Sequence, residues 1–391
     1  MKKILIFLRE DVVLPKGGPS GYVYNLMSGM KEEEDIKIDL LPAVTNAELK
    51  NKYDSLPLWI KKGYRVIGRY KDYKNLSKPS SGITSEFLNQ YDLIHFHSCF
   101  SLFKNIPVLK NYTGKVVLTS HCPKPPQLEM IEDMYSEGER RIFGKRHLSV
   151  YTMAVTKAFE RADIIIFPCP EAEEPYANNW DNYQTIKKQN LKKYRYMATG
   201  VASCLEKVVI SKSDIRKKYG IPEDAFLISY VGRHNTVKGY DTLREIAKRF
   251  SKKDNIYFLI AGEESPLTRP NLPFWIEAGW TKDPYSIEAA SDLFVLPNKE
   301  TYFDLVLLEV LSIGVKVLAT YTGGNKYFKD YDSDIMYFNS IDDAVQTIQK
   351  LSAKRSALET VSKNRNLYLT HFTSEQFAKN YLKIIRGVLS E

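Results

Sequence analysis

Two cations, Arg233 and Lys238, follow an apolar run that ends at Gly232 in the second half of the 391-residue chain. Glycine lets a ligand approach the backbone closely. An arginine guanidinium offers a planar fork to phosphate, and a lysine ammonium acts as a point charge. Two fixed cations at a strand end can stabilise a diphosphate as it leaves. We therefore predict a diphosphate site here, with a surface turn carrying solvated cations as the alternative.

A second stretch, Asn298–Leu311, runs from a loop directly into an apolar helix. The backbone N–H groups of Phe303, Asp304 and Leu305 are unpaired at such a helix start and attract phosphate. Glu309 lies about one turn into the helix, where its carboxylate can accept hydrogen bonds from two ribose hydroxyls. A capping acid and an exposed helical Glu are the alternative interpretation.

Short apolar runs alternate with helical patterns in both halves of the chain, which predicts parallel sheets covered on both faces. In such sheets function gathers at the carboxyl ends of the strands, where Gly17, His97 and His121 fall. A polar segment from about Thr199 to Asp224 separates the halves. The expected strands are Ile4–Leu8, Ile36–Leu41, Asp92–His97, Lys115–His121, Asp163–Phe167, Ala225–Val231, Ile256–Ala261, Phe274–Ala278, Asp292–Leu296 and Val315–Ala319, and the main expected helices are Tyr22–Met30, Asp241–Phe250, Leu305–Ile313 and Ser374–Leu389.

Composition points to a globular protein, because 43% of the residues are hydrophobic and 26% are charged. The four cysteines lie far apart without metal-ligand spacing, which argues against zinc and suits a reducing cytoplasm. The apolar run at the N-terminus is too short for a signal peptide, and no stretch approaches the ~20 apolar residues of a spanning helix. We expect a cytoplasmic protein, or one peripheral to the inner face of the cell membrane.

Positive charge concentrates between Lys50 and Lys78, which hold nine basic and two acidic residues within a chain of net charge +9. Trp59, Tyr64 and Tyr70 are among the aromatics interleaved with them. Such a segment is typical of contact with an anionic membrane, of nucleic-acid binding, or of a solvated surface, and composition leaves these three open.

In this order along the chain, Gly232-Arg233…Lys238-Gly239, Ala261-Gly262, Ala290–Pro297 and Phe303–Gly314 resemble the retaining glycosyltransferases of family 4. Gly17–Gly21, His95-Phe96-His97 and Thr119-Ser120-His121 resemble landmarks of the same family. The resemblance implies an α/β protein of the GT-B fold, with two Rossmann-like parallel-sheet domains facing each other across a cleft. It places an acceptor-binding domain at 1–205, a nucleotide-sugar-binding domain at 206–373, and a helix at 374–391 that returns to the first domain.

The resemblance also implies roles on the donor side. Arg233 and Lys238 would hold the diphosphate beside Gly232 and the amides of the helix start at Phe303–Leu305, and Glu309 would hold the ribose as the second acid of an E-x7-E pattern. The first acid position is Thr301, with Glu300 one place upstream. Either Glu300 contacts the transferred sugar, or Thr301 does so with backbone amides. Asp304 stands where the family often has glycine.

Further roles follow from the same resemblance. His121 would face the transferred sugar, and Gly17 and Gly18 would flank the phosphates or the acceptor. His97 either contacts sugar or acceptor or is a packed strand-end histidine. The last group of candidates stacks on the nucleotide base or only packs, and consists of Trp280, Thr281 and Tyr285.

The function implied is transfer of a hexose from a nucleotide-diphosphate sugar, UDP before GDP, to a hydroxyl acceptor with retention of anomeric configuration. The acceptor we expect is a lipid-linked glycan in bacterial surface-polysaccharide assembly. No metal or other cofactor is expected, since the D-x-D at Asp330–Asp332 is interpreted as a turn. The main alternative, which Thr301 favours, is a non-catalytic GT-B-like partner of a transferase. A dehydrogenase is disfavoured because Gly17–Gly21 is not G-x-G-x-x-G, and a nucleic-acid binder would require salt-sensitive DNA binding.

Overall fold

The computed structural model describes residues 1–8, 13–15, 17–41, 57–354 and 362–390. Within these residues the first sheet has six parallel strands in the order β2-β1-β3-β4-β5-β6. Its strands are β1 (Lys2–Phe7), β2 (Ile36–Leu40), β3 (Leu93–Phe96), β4 (Lys115–Thr119), β5 (Ile164–Phe167) and β6 (Tyr194–Tyr196).

The second sheet, in the same described part of the chain, has six parallel strands in the order β12-β11-β10-β7-β8-β9. Its strands are β7 (Phe226–Val231), β8 (Ile256–Ala261), β9 (Trp275–Gly279), β10 (Leu293–Leu296), β11 (Val317–Thr320) and β12 (Ile335–Phe338). The α/β class and the two parallel sheets confirm the predicted architecture.

Helices cover both sheets, so the central strands β3, β5 and β10 are buried along their whole length, as parallel strands require. The described helices are α1 (Gly18–Gly29), α2 (Leu58–Lys74), α3 (Ser85–Leu88), α4 (Cys99–Asn105), α5 (Pro126–Met134), α6 (Glu137–Arg161), α7 (Glu174–Asn179), α8 (Tyr183–Gln189), α9 (Lys212–Lys218), α10 (Tyr240–Ala247), α11 (Pro284–Ala290), α12 (Leu305–Ile313), α13 (Ile341–Ala353), α14 (Lys363–His371) and α15 (Ser374–Ser390).

Strand order fixes where a ligand can enter each sheet. The connections from β1 and β3 leave in opposite directions, as do those from β7 and β10. A crevice therefore opens at the carboxyl ends of these strand pairs, which are the topological switch points of the two sheets. Gly17 at the start of α1, His97, and the loops after β7 and β10 all lie at these crevices.

Helix α15 returns to the first sheet, as the sequence predicted. Its apolar face, with Phe377, Tyr381 and Ile385, packs into one cluster with Ile4 of β1 and Tyr22 of α1. Helix α14 lies directly before α15, and a parallel bridge joins the turn between them at Thr373 to Val201. The chain thus crosses between the sheets twice.

Several predicted bounds were wrong by a few residues, and one segment was misread. The strand expected at Phe274–Ala278 lies one residue later, at Trp275–Gly279. The polar segment between the halves contains α9, whose fully buried Arg216 donates to the carbonyls of Pro222 and Ala225 and to Asp292. The polar residues of this segment therefore include Arg216, which is buried in an ion pair with Asp292, as well as exposed side chains. The boundaries at 205/206 and 373/374 stay predictions.

Candidate active site

Lys238 and Asp304 join the loops after β7 and β10. The Lys238 Nζ lies 2.5 Å from Asp304 Oδ2, and Asn298 Nδ2 donates to the same oxygen at 2.6 Å. Burial favours the neutral form of Asp304, but Lys238 and the hydrogen bonds outweigh it and keep the pKa of this carboxyl below its usual value. The contact with Asp304 thereby holds the Lys238 side chain at the start of α12.

Gly239 allows these two loops to touch. Its φ is +67°, and a Cβ at this position would lie 1.7 Å from the carbonyl oxygen of Pro297. A side chain would therefore both strain the backbone and push the loop after β10 away. The glycine after Lys238 is needed for the close approach that brings Lys238 to α12.

Arg233 has an exposed side chain at the carboxyl end of β7. Its backbone is anchored because the Tyr230 hydroxyl donates to its carbonyl oxygen at 2.8 Å. The ring of Tyr230 also lies against Gly232, where a Cβ would be 2.9 Å from the hydroxyl oxygen. The backbone is thus fixed while the guanidinium projects into solvent at the switch point.

The N-terminus of α12 follows Asp304, which occupies the N-cap position without a side-chain capping bond. The Phe303 side chain cannot contact a nucleotide-sugar, because it is buried against Tyr327, Phe328 and Phe372. Its predicted role can therefore be carried only by its backbone amide, with that of Leu305. These amides supply the partial positive charge of the helix start.

Glu309 lies in α12 among other ionisable groups. Burial raises the pKa of its carboxyl to about 7, Lys207 of the linker opposes the shift, and Asp304 reinforces it. Glu288 of α11 is fully buried, and neither of its carboxyl oxygens has a hydrogen-bond partner among the described residues. Burial and the charge of Glu309 raise the pKa of Glu288 well above its usual value. Burial therefore favours the protonated form of both carboxyls.

The loop before α12 spans the cleft through Tyr302. Its ring lies 5.6 Å from that of Phe167 on β5 and 6.4 Å from that of His121, between ring centroids. Thr301, by contrast, is 3% exposed, and its carbonyl oxygen accepts from the amide of Gly324. Glu300 is half-buried. The fold thus buries the residue at the first acid position and leaves Glu300 nearer the surface.

On the opposite wall, His121 follows β4 in the left-handed backbone region, with φ 62°. The strand predicted to reach His121 ends at Thr119, and the turn redirects the ring. His97, just after β3, places its Nδ1 2.7 Å from Nε2 of His121. Burial lowers the pKa of His121 to about 3 and that of His97 well below its usual value. Both imidazoles are therefore neutral at pH 7.

A second contact between the two walls involves Glu174 of α7. Its carboxylate accepts from Lys326 Nζ at 2.7 Å and from the amide of Gly323 at 3.0 Å. Lys326 and Gly323 belong to a 3₁₀ turn after β11. Sequence reasoning missed this contact, and also Tyr302, Lys207 and Glu288, because contacts between distant segments leave no local pattern.

The remaining predicted residues lie after β9, in α11, or at the start of α1. Trp280 is 71% exposed after β9, and Thr281 Oγ1 accepts from the amide of Asp283 at 3.0 Å. Lys207 Nζ lies 5.0 Å from the ring centroid of Tyr285, and the pKa of Tyr285 is raised by burial and by the charge of Glu309. Tyr285 therefore lies beside Lys207 and interacts electrostatically with Glu309.

Gly17 and Gly18 begin α1, as N-cap and first helical residue, and Gly18 has φ +73°. A Cβ at either position would meet no atom of the described residues within 4 Å. The loop residues 9–12 and 16 lie outside the described part of the chain.

Metal ligands and membrane spans give two separate findings. No group of three or more His, Cys, Asp or Glu side chains suited to a metal occurs in the described residues. In the D-x-D sequence, Asp332 is exposed and pairs with Lys363 at 2.5 Å. No described helix combines the length and apolarity needed to cross a membrane.

Comparison with known proteins bears on the second sheet. Residues 211–367 match the family model described as Glycosyl transferases group 1. This stretch holds Arg233, Lys238 and Glu309. The protein has the GT-B fold.

The GT-B fold extends over the whole chain. Anabaena HepE in complex with UDP-glucose superposes with a TM-score of 0.62 at 14% identity, covering 99% of this chain and 100% of that one. Sucrose-phosphate synthase from Thermosynechococcus elongatus superposes with a TM-score of 0.64 at 17% identity, covering 100% of both chains. At these identities the likeness shows the fold alone.

A relative in sequence is the O-antigen biosynthesis glycosyltransferase WclY of Escherichia coli, 23% identical over 226 residues. The match covers 55% of this chain and 61% of that protein, so the chain spans about three fifths of this relative's length. An Escherichia coli UDP-Gal:alpha-D-GlcNAc-diphosphoundecaprenol alpha-1,3-galactosyltransferase is 26% identical over 179 residues, 42% of this chain and 46% of that protein.

Proposed function

We propose that this GT-B protein is a retaining glycosyltransferase that moves a hexose from a UDP-sugar to a hydroxyl of a lipid-linked glycan. The observation that carries the proposal is the meeting of Lys238, the α12 N-terminus and the exposed Arg233 at one switch point. Sequence relatives named for O-antigen biosynthesis and for a UDP-galactose donor support the substrate class.

In the proposed donor complex the diphosphate lies between Arg233, Lys238 and the amides at Phe303–Leu305. Lys238 exchanges its Asp304 carboxylate for phosphate oxygens, and Glu309 accepts the ribose hydroxyls as a carboxylate. The bond between the anomeric carbon and the phosphate oxygen breaks, and negative charge develops on the diphosphate. The cations and the helix start stabilise that charge in the transition state.

The acceptor hydroxyl attacks from the face that the diphosphate leaves, and its proton passes to the departing phosphate. The anomeric configuration is then retained without a protein nucleophile. Neutral His121 serves as a hydrogen-bonding group toward the transferred sugar. Glu300 serves as the acid that contacts that sugar, since Thr301 is buried.

A surface suited to an anionic membrane supports the lipid-linked acceptor. Helix α2 exposes Tyr64, Ile67 and Tyr70, and α6 exposes Ile142 and Phe143. Exposed basic residues accompany these apolar groups on both helices, namely Arg65, Lys71, Lys74, Arg140, Arg141, Lys145 and Arg146. Apolar groups surrounded by cations bind anionic lipid surfaces. Residues 50–56 of the predicted segment lie outside the described residues.

The two helices form one surface because they are tied together. Arg69 of α2 donates twice to Glu139 of α6 at 2.6 Å, and the Tyr73 ring stacks on His147 with centroids 3.8 Å apart. Binding to phosphatidylglycerol vesicles is expected for the wild type and not for Ile67→Glu/Ile142→Glu. Val209→Glu, at an exposed apolar residue of the linker, is the control. Equal binding of all three proteins would contradict membrane contact through this surface.

Donor turnover tests the proposed activity. Arg233→Ala and Lys238→Ala each remove a charged hydrogen bond of about 1.5–3 kcal/mol, which lowers kcat/KM for a UDP-sugar by roughly 10–200-fold. Lys248→Ala, at an exposed lysine of α10's C-terminus, is the matched control. Full turnover by both site variants would refute the diphosphate site. Release of UDP from a UDP-sugar by the wild-type protein, with no other protein present, would exclude the non-catalytic alternative.

A further inference from the structure

His97 and His121 form a hydrogen-bonded pair of imidazoles on the wall of the cleft that faces the donor domain. Their rings lie nearly parallel, 19° apart with centroids at 5.0 Å, and Nδ1 of His97 is 2.7 Å from Nε2 of His121. His95 precedes His97 by two residues on β3, so the two side chains share one face of the strand. Tyr381 of α15 packs against that face and hydrogen-bonds to His95.

The pair is enclosed on its inner side. His97 is 2% exposed, and its Nε2 has no hydrogen-bond partner within the described ranges. Tyr22 of α1 covers the rings, with its centroid 5.3 Å from His97 and 4.7 Å from His121. His121 is half-buried, and since its Nε2 is bound to His97, Nδ1 is the ring nitrogen left for a ligand in the cleft.

One proton lies between the two rings. Burial lowers the pKa of both imidazoles, so each carries a single N–H at pH 7. When His97 donates, Nδ1 of His121 bears its ring's proton. When His121 donates, Nδ1 of His121 is a bare acceptor. The hydrogen bond therefore couples the tautomer of His97 to the protonation of Nδ1 of His121.

We propose that His97 is a positioning residue that locks His121 in one tautomer. The buried Nε2 of His97 has no partner among the described residues and is better left as a bare acceptor than as an unpaired N–H. Nδ1–H of His97 therefore donates to His121, and Nδ1 of His121 meets a sugar hydroxyl as a donor. This proposal rests on the proposed function for its consequence and on the imidazole pair for its geometry. An unlocked His121 would divide between two tautomers, of which one presents the wrong group to the ligand.

The backbone around His121 supports a fixed ring. Its left-handed φ of 62° is unusual for a residue with a side chain and persists where the surroundings hold it. Ser120, the preceding residue, is hydrogen-bonded through its hydroxyl to Tyr176. The backbone conformation of His121 and the Ser120–Tyr176 hydrogen bond thus position the His121 ring. The bond to His97 sets the protonation of that ring.

The test reads the tautomer directly from long-range ¹⁵N–¹H correlations of ¹⁵N-histidine-labelled protein, without donor or acceptor. The chain has six histidines, so single substitutions assign the signals. We expect one tautomer of His121 in the wild type and a mixture in His97→Phe. One tautomer is expected again in His97→Asn, whose Nδ2 can donate to Nε2 in place of the His97 ring. His95→Phe, which leaves the His97–His121 bond in place, is the control and keeps one tautomer.

A mixture in the wild type, or an unchanged single tautomer in folded His97→Phe, would overturn the proposal. With an active donor, His97→Phe is also expected to lower kcat by roughly tenfold, the value of one hydrogen bond, with a smaller change in KM for the donor, and His97→Asn to recover most of the loss. Absence of turnover in every protein would count against the proposed function and leave the spectroscopic result standing.

Discussion

Replacement of Glu309 by Gln separates the cost of a buried carboxylate from the binding that it provides. Burial is the main cause that moves the pKa of Glu309 from 4.5 to about 7. The unfolded chain loses this proton above pH 4.5, and the folded chain keeps it until pH 7. Folding stability therefore falls between these values and stays low above them. A pKa raised from 4.5 to about 7 corresponds to about 3 kcal/mol of folding stability that is lost above pH 7.

Gln carries no charge at any pH, so Glu309→Gln is expected to be more stable than the wild type above pH 7. About 3 kcal/mol in a domain of this size raises Tm by roughly 6–12 °C. At pH 5 the wild type has lost only about 1 kcal/mol, so the two proteins unfold at similar temperatures. Thermal unfolding at pH 5 and pH 8 without nucleotide measures both differences. Glu245→Gln, at an exposed residue of α10, is the control.

Nucleotide binding is expected to respond in the opposite sense. Ribose hydroxyls donate to a carboxylate, so UDP affinity of the wild type falls as the pH drops below 7, and Glu309→Gln binds weakly at every pH. Isothermal calorimetry with UDP between pH 5.5 and pH 8 measures this dependence. A Gln variant that is less stable at pH 8, or that binds UDP as tightly as the wild type, would refute the reasoning.

Three further predictions concern other parts of the site. Glu300→Gln is expected to lower kcat at least about tenfold through a lost contact in the transition state, whereas Thr301→Val changes it less than about threefold because Thr301 is buried; the reverse order in a UDP-release assay would assign the sugar contact to Thr301. Trp280→Ala is expected to weaken UDP binding roughly 5–100-fold if its exposed ring stacks on the base, and unchanged affinity in calorimetry would remove it from the base site. Gly239→Ala is expected to lower both Tm and kcat/KM because its Cβ would meet Pro297. Gly63→Ala is the control, since a Cβ there meets no described atom within 4 Å and alanine favours the helix α2, so it leaves kcat/KM unchanged and does not lower Tm. An unaffected Gly239→Ala would show that the loops need no close contact.

The sequence predicted the features that rest on local patterns. Apolar runs such as Ile164–Phe167 identify buried parallel strands, and the strand–loop–helix order places Arg233, Lys238 and the α12 start at one edge of a sheet. The apolar periodicity of 374–389 predicted a helix, and the family resemblance implied that this helix returns to the first domain. These signals survive because burial and helix geometry act over a few neighbouring residues.

Other features depend on segments far apart in the chain and could not be predicted. Asp304 reads as a departure from a glycine, yet its carboxylate holds Lys238. Tyr302 reads as a loop aromatic, yet it reaches the opposite wall near His121. His97 reads equally as a ligand or a packed residue, and only the distance to His121 shows a bonded pair. In each case the partner is set by the tertiary fold.

A crystal structure with an intact UDP-sugar tests the proposed diphosphate site. We expect a pyrophosphate within hydrogen-bonding distance of Arg233, Lys238 and the amides at the start of α12, with Lys238 released from Asp304 and the ribose on Glu309. A pyrophosphate bound elsewhere, with the Lys238–Asp304 pair still closed, would contradict it.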